Sequence, residues 1–199
     1  MAAYTASAGI IVTILLVALL VLTAYRPTQV PVGESYYLLD RAVAYHLTVN
    51  ALEASSDPRG FVDALNEQLS YISPLYHRFS GYDVKYYDRR LGYVGAVVEW
   101  RMGYGPAFLT SPFLSAEELA HHYYYDAKVA SWILKSKVTL LTERGYPPRA
   151  TFRTPYPCSV ERSGSIWTVR VLVPASGTAV NATIYDWRGL SVILTLGGS

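Results

Sequence analysis

Residues Ser115–Gly145, SAEELAHHYYYDAKVASWILKSKVTLLTERG, form the longest stretch of the chain free of proline and of internal glycine. Ser115-Ala-Glu-Glu118 has the form of a capping box, in which the Ser hydroxyl and the Glu carboxylate satisfy each other's backbone N–H groups. Leu119, Tyr123, Ala127, Ala130, Leu134, Val138 and Leu141 follow at spacings of three and four, the period of an apolar helical stripe. Arg144-Gly145, with Pro147 and Pro148 beyond, supplies a basic last turn, a C-cap glycine and a stop. The stretch predicts one long helix, the spine of an α+β domain.

Working outward, Ser35 reads as an N-cap, and Leu38, Ala42, Tyr45, Val49 and Leu52 mark the face of a helix ending near Ser55. Asp57-Pro58 caps a second helix whose face is Phe61, Leu65, Leu69 and Ile72, closed by Pro74. The Tyr- and Val-rich segments 82–87 and 93–101, around Asp88-Arg-Arg-Leu-Gly92, predict a hairpin. Toward the C-terminus, alternation predicts an antiparallel meander over 167–173, 178–187 and 190–196, with 158–162 as an added strand joined through Ser163-Gly164. The expected domain, residues 35–199, therefore has amphipathic helices packed on an antiparallel sheet.

At the other end, Ile10-Ile11-Val12-Thr13-Ile14-Leu15-Leu16-Val17-Ala18-Leu19-Leu20-Val21-Leu22 has no charged side chain on it or before it. Residues 1–25 meet the requirement of roughly 20 apolar residues for a spanning helix. They predict a single-pass transmembrane anchor with the lipid bilayer as its partner. A cleavable signal peptide is the alternative, but it wants a basic n-region and a small-x-small site, and Leu22 stands where a small residue should. Residues 26–34, with Pro27, Pro31 and Gly33, read as a linker.

The chain has 199 residues and a net charge of +2, with 18 Tyr and 17 Lys+Arg, of which only four are Lys. A hydrophobic fraction of 51% excludes disorder, and the weak charge gives no case for nucleic acid. Tyrosine and arginine are favoured at protein interfaces, so other protein subunits are the expected partners. Cys158 is the only cysteine and reads as a free buried thiol.

Ionisable residues crowd only at Glu117-Glu118-Leu-Ala-His121-His122. On a helix, Glu118 with His121 at i+3 and His122 at i+4 would share one face, a weak candidate metal set. Without a second Glu-x-x-His unit or a His-Glu-x-x-His, the favoured reading is a solvated edge with no metal and no cofactor. His46 and His77 are isolated. No nucleophile elbow, P-loop or dinucleotide fingerprint occurs, so no catalytic residue is expected and the chain reads as a non-enzyme. Asn181-Ala-Thr183 is an N-glycosylation sequon, meaningful if the domain is extracytoplasmic, the side that the low lysine content also favours.

The segment Ala8-Gly9-Ile10-Ile11-Val12-Thr13-Ile14-Leu15-Leu16, followed by helix and then an antiparallel sheet, resembles the layout of type IV pilin-like proteins, including archaeal ones. The resemblance covers about a tenth of the chain. It implies an N-terminal helix that anchors the subunit in the membrane and then packs into a filament core. The sequence departs from it in lacking basic residues before the apolar run and in carrying Pro27 and Pro31. Three functions stand as expectations: a surface or envelope protein acting through protein contacts, an accessory subunit of a membrane complex, or a membrane-tethered metal protein or enzyme using Glu118, His121 and His122.

Overall fold

The computed structural model describes residues 32–74, 76–103 and 108–198, with side chains from residue 36 onward. Contacts divide the chain into two units, Met1–Leu39 and Asp40–Ser199. Among the described residues there are two helices, α1 (Val32–Ala54) and α2 (Pro58–Ile72), and ten strands.

Strands β1 (Phe79–Arg90), β2 (Tyr93–Met102), β4 (Phe113–Asp126), β5 (Ser131–Thr142), β8 (Ile166–Val173) and β7 (Cys158–Ser163) lie in that spatial order in one antiparallel sheet. The short β3 (Phe108–Thr110) joins it by pairing with β2. A second sheet has β9 (Val180–Asp186) between β10 (Ser191–Leu196) and β6 (Ala150–Arg153).

This overturns the α+β expectation. The stretch 115–145 is not a helix but most of the β4–β5 hairpin, so Ser115 is a strand residue and caps nothing. In β5, Leu134, Ser136, Val138, Leu140 and Thr142 are buried and alternate from residue 134 to 142 with exposed or half-exposed residues, Ile133 before them being buried as well, which is period two. Burying one Leu or Val gives about 1.5–3 kcal/mol, whereas a helix cap gives about 1 kcal/mol. Several such burials on a sheet outweigh one cap.

In β4 the register slips between Glu118 and Ala120, so Leu119 is an extra residue. The bulge switches which side chains face inward, from even numbers before it to odd numbers after it. That shift imitates helical spacing. The reversal Ala127–Ala130 is closed by Asp126 Oδ1 accepting from Lys128 N at 2.9 Å, with Ala130 at φ 49.

The single-pass description is corrected with the fold class. No helix among the described residues is long and apolar enough to cross a membrane, and residues 1–25, where the spanning segment was predicted, lie outside those described. Of the predicted linker 26–34, residues 32–34 already belong to α1, and Ser35 lies inside that helix rather than capping it.

From Asp40 onward, α1 buries Asp40, Ala44, Leu47, Thr48, Val49, Ala51 and Leu52. Of the predicted stripe, Val49 and Leu52 are buried and Tyr45 is half-buried, while Leu38 and Ala42 are exposed, and the buried face also takes in the polar Asp40 and Thr48. Asp40, 1% exposed, is gripped by Arg78 through Nε at 2.8 and 3.0 Å and a second nitrogen at 2.7 Å. Thr48 Oγ1 accepts from Trp100 Nε1 at 3.0 Å and lies 3.0 Å from Thr110 Oγ1. The second helix follows its sequence signals, with Asp57 Oδ1 accepting from Arg59 N and Gly60 N at 2.9 Å and Phe61 and Leu65 buried.

Helices and second sheet cover the same face of the large sheet. Phe61 packs on Tyr87 at 5.0 Å and Phe152 on Trp167 at 5.7 Å. Arg89 binds the terminal helix carbonyls, donating to Leu52 O at 2.9 Å and to Ser55 O, and also reaches Ser191 O and Oγ at 3.2 and 3.0 Å. The predicted C-terminal meander is split: β7 and β8 form a hairpin in the large sheet, while β9 and β10 form one in the small sheet.

A buried ionic network joins α1, the start of β4, the end of β5 and the β9–β10 turn. Arg188, 7% exposed at its side chain, donates from Nε to Asp186 Oδ2 at 2.7 Å and from Nη2 to Phe113 O at 2.9 Å. It also bonds Glu143 and the Tyr45 hydroxyl, which itself donates to Glu143. Asp186 accepts from the backbone N–H groups of Arg188 and Leu190 at 2.9 and 3.1 Å, and Glu143 accepts from Phe113 N at 3.0 Å.

Burial first, then the bond to Glu143, raises the Tyr45 pKa above its usual value of about 10. The unfolded chain therefore loses this proton at a lower pH than the folded one. The contribution is complete below the unfolded pKa and is lost as pH rises through the folded value. The melting temperature should fall above about pH 10, and less steeply in Tyr45→Phe. Identical alkaline limbs in thermal melts of the two proteins would refute the assignment.

Candidate functional site

The hairpin places the residues singled out in the sequence on two different faces. Glu118 and His121 point inward, brought to one side by the bulge between them. His122 lies on the outer face opposite Lys135 and stacks on Tyr124 at 5.9 Å. The three residues therefore do not converge on one point, and no group of three metal-ligating side chains occurs among the described residues.

Glu118 has a different role. Its carboxylate accepts from Gly197 N at 3.0 and 3.1 Å, from Ser136 Oγ and from His121 Nδ1, 3.1 Å away. The Tyr123 hydroxyl closes the cluster by donating to Thr178 O at 3.0 Å, with Gly197 O at 3.3 Å. Burial, and then the Glu118 charge, raise the Tyr123 pKa. Gly197 has φ +73, and a side chain there would collide with the Tyr123 hydroxyl. The serine donates to the carboxylate and not to the histidine, so no nucleophile–base pair is formed. The arrangement latches the end of β10 onto β4 and β5.

Glu118→Ala leaves Gly197 N and Ser136 Oγ without their acceptor and should cost about 1–3 kcal/mol. His122→Ala, on the open face, should stay within about 0.5 kcal/mol. Urea unfolding of both variants checks the contrast, and equal costs would show that Glu118 is not a latch.

The remaining candidates are placed as follows. Asn181 is exposed on β9, its Oδ1 accepting from Thr195 Oγ1 at 2.9 Å. Cys158 is exposed at the start of β7, not buried as the sequence suggested. His46 and His77 are exposed and separate. A recess of about 350 Å³ at the β1–β2 turn is lined by Arg89, Arg90, Tyr93 and Thr183. Its guanidinium groups are engaged within the fold, Arg89 on α1 carbonyls and Arg90 on Asp88 and over the Tyr93 ring at 5.4 Å.

Two surfaces were not anticipated. The first is the outer face of the large sheet, opposite the one that the helices and second sheet cover. Register places Tyr124, Ile133 and Leu172 in one row across β4, β5 and β8. The next row is His122, Lys135, Arg170 and Ser159, and the next is Ala120, Lys137, Thr168 and Glu161. The alternation of Lys135 and Lys137 in β5 could have revealed a solvent face; their alignment with Arg170 could not be read without the pairing.

The second surface is the leading part of α1. Tyr36, Tyr37, Leu38 and Leu39 are 43–62% exposed. Four consecutive helical residues, about 100° apart, occupy most of the helix circumference. No protein-family model matches the chain, and comparison with curated proteins and with solved structures finds no match.

Proposed function

We propose that this chain is a non-enzymatic structural subunit, held in a larger protein assembly by contacts that the leading part of α1 makes with neighbouring subunits. The observation that carries the reading is the exposure of Tyr36–Leu39 around the helix. A helix apolar on all sides is stable in water only when other surfaces enclose it, and contiguous exposed apolar surface marks interaction sites. The 18 tyrosines are in keeping with this reading. Pilin-like self-assembly is the form suggested by the resemblance in residues 8–16.

The test is the native particle size of gently extracted protein, by light scattering after chemical cross-linking. Filaments or rings of this chain support self-assembly, and a defined complex with other chains supports an accessory-subunit role in the same class. Leu38→Glu with Leu39→Glu should shift at least half of the protein to monomer, because two apolar anchors become buried charges. A monomeric wild type, or an assembly unchanged in this variant, would overturn the reading.

A further inference from the structure

On the outer face of the large sheet, Lys135 stands directly opposite both His122 on β4 and Arg170 on β8, with Lys137 two residues along β5. Like charges directly across a sheet destabilise it, and two of the chain's four lysines are gathered here. Neither Lys135 nor Lys137 forms a salt bridge with a described residue. Arg170 shows what the patch recognises: the Glu161 carboxylate sits on its fork at 2.7 and 3.1 Å. Beside the basic row lies the apolar row of Tyr124, Ile133 and Leu172.

We infer that this face binds an extended acidic segment of a partner protein, lying along β5 with carboxylates on Lys135 and Lys137 and an apolar side chain on Tyr124 and Leu172, which flank the buried Ile133. Alternate residues of an extended chain are about 6–7 Å apart, the spacing of Ile133, Lys135 and Lys137 along their own strand. The matching sequence is therefore apolar-x-acidic-x-acidic. A nucleic acid fits less well, because the rim carries Glu117 and Glu161 and the ring next to the basic row, Tyr124, is already stacked by His122. This inference uses none of the residues Tyr36–Leu39, so either reading can fail without the other.

The experiment uses the full chain and a short fluorescein-labelled peptide of alternating valine and glutamate, followed by fluorescence anisotropy. Saturable, salt-sensitive binding is expected, weakened about tenfold by Lys135→Glu with Lys137→Glu. Lys85→Glu with Arg101→Glu makes the same change in net charge at the other end of the sheet and should alter affinity less than about twofold. Lys135→Met with Lys137→Met removes charge without repulsion and should give an intermediate loss, with thermal melts confirming that each variant folds. The inference is overturned by absent binding, by equal loss in the Lys85/Arg101 control, or by full binding in the folded methionine variant. It is equally overturned if a single-stranded oligonucleotide binds more tightly than the peptide through the same lysines.

Discussion

Arg188→Ala should lower stability by about 3–5 kcal/mol, because it leaves the buried Asp186 and Glu143 carboxylates without their cation. The lower end is expected, since Asp186 keeps two backbone N–H donors and Glu143 keeps Phe113 N and the Tyr45 hydroxyl. At roughly 2–4 °C per kcal/mol for a domain of this size, the melting temperature should fall by roughly 6–20 °C. Removing the stranded charge as well, with Glu143→Gln in the Arg188→Ala background, should restore part of the loss, a coupling measurable in a double-mutant cycle. Additive losses in that cycle would mean that the two side chains do not act as a pair. The effect is large because one guanidinium bonds the end of β5, the start of β4, the β9–β10 turn and, through Tyr45, α1.

Trp100→Ala should cost about 3–5 kcal/mol for the lost burial and the cavity left behind. Trp100 is fully buried, with Phe79 and Tyr82 at ring distances of 5.1 and 5.3 Å. Its indole N–H donates to Thr48, which also donates to Ala44 O at 2.8 Å. Trp100→Phe keeps much of the volume and removes only that donor; because Thr48 retains Ala44, the cost should be near 1–2 kcal/mol. Urea unfolding with unchanged slope reads both values. If Phe proves as damaging as Ala, the indole hydrogen bond and not packing holds α1 to β2.

What was legible was local. The second helix is specified by residues within one or two turns of each other: Asp57 at the cap, Pro58 after it and Phe61, Leu65, Leu69 and Ile72 on one face. The β1–β2, β7–β8 and β9–β10 hairpins are likewise each encoded by a turn and its flanking strands. Site reasoning from the same local rules misled. Helical geometry would have united Glu118, His121 and His122. The bulge at Leu119 instead kept Glu118 with His121, turned His122 outward, and made the carboxylate a latch for Gly197.

By itself, then, the sequence determined the short-range elements, because caps, turns and alternation act between neighbours. Only the tertiary structure decided that residues 115–145 pair as strands, since a local cap is weaker than the pairing that β2 offers to β4 and β8 to β5 together with the burial that the covering layers give to the alternate residues of β5. It also decided that β8 and β9 belong to different sheets, that Asp40 and Thr48 could occupy buried positions of α1, and that Lys135 would face Arg170. Each of these depends on a partner far away in sequence, and nothing within a window around either residue encodes the other.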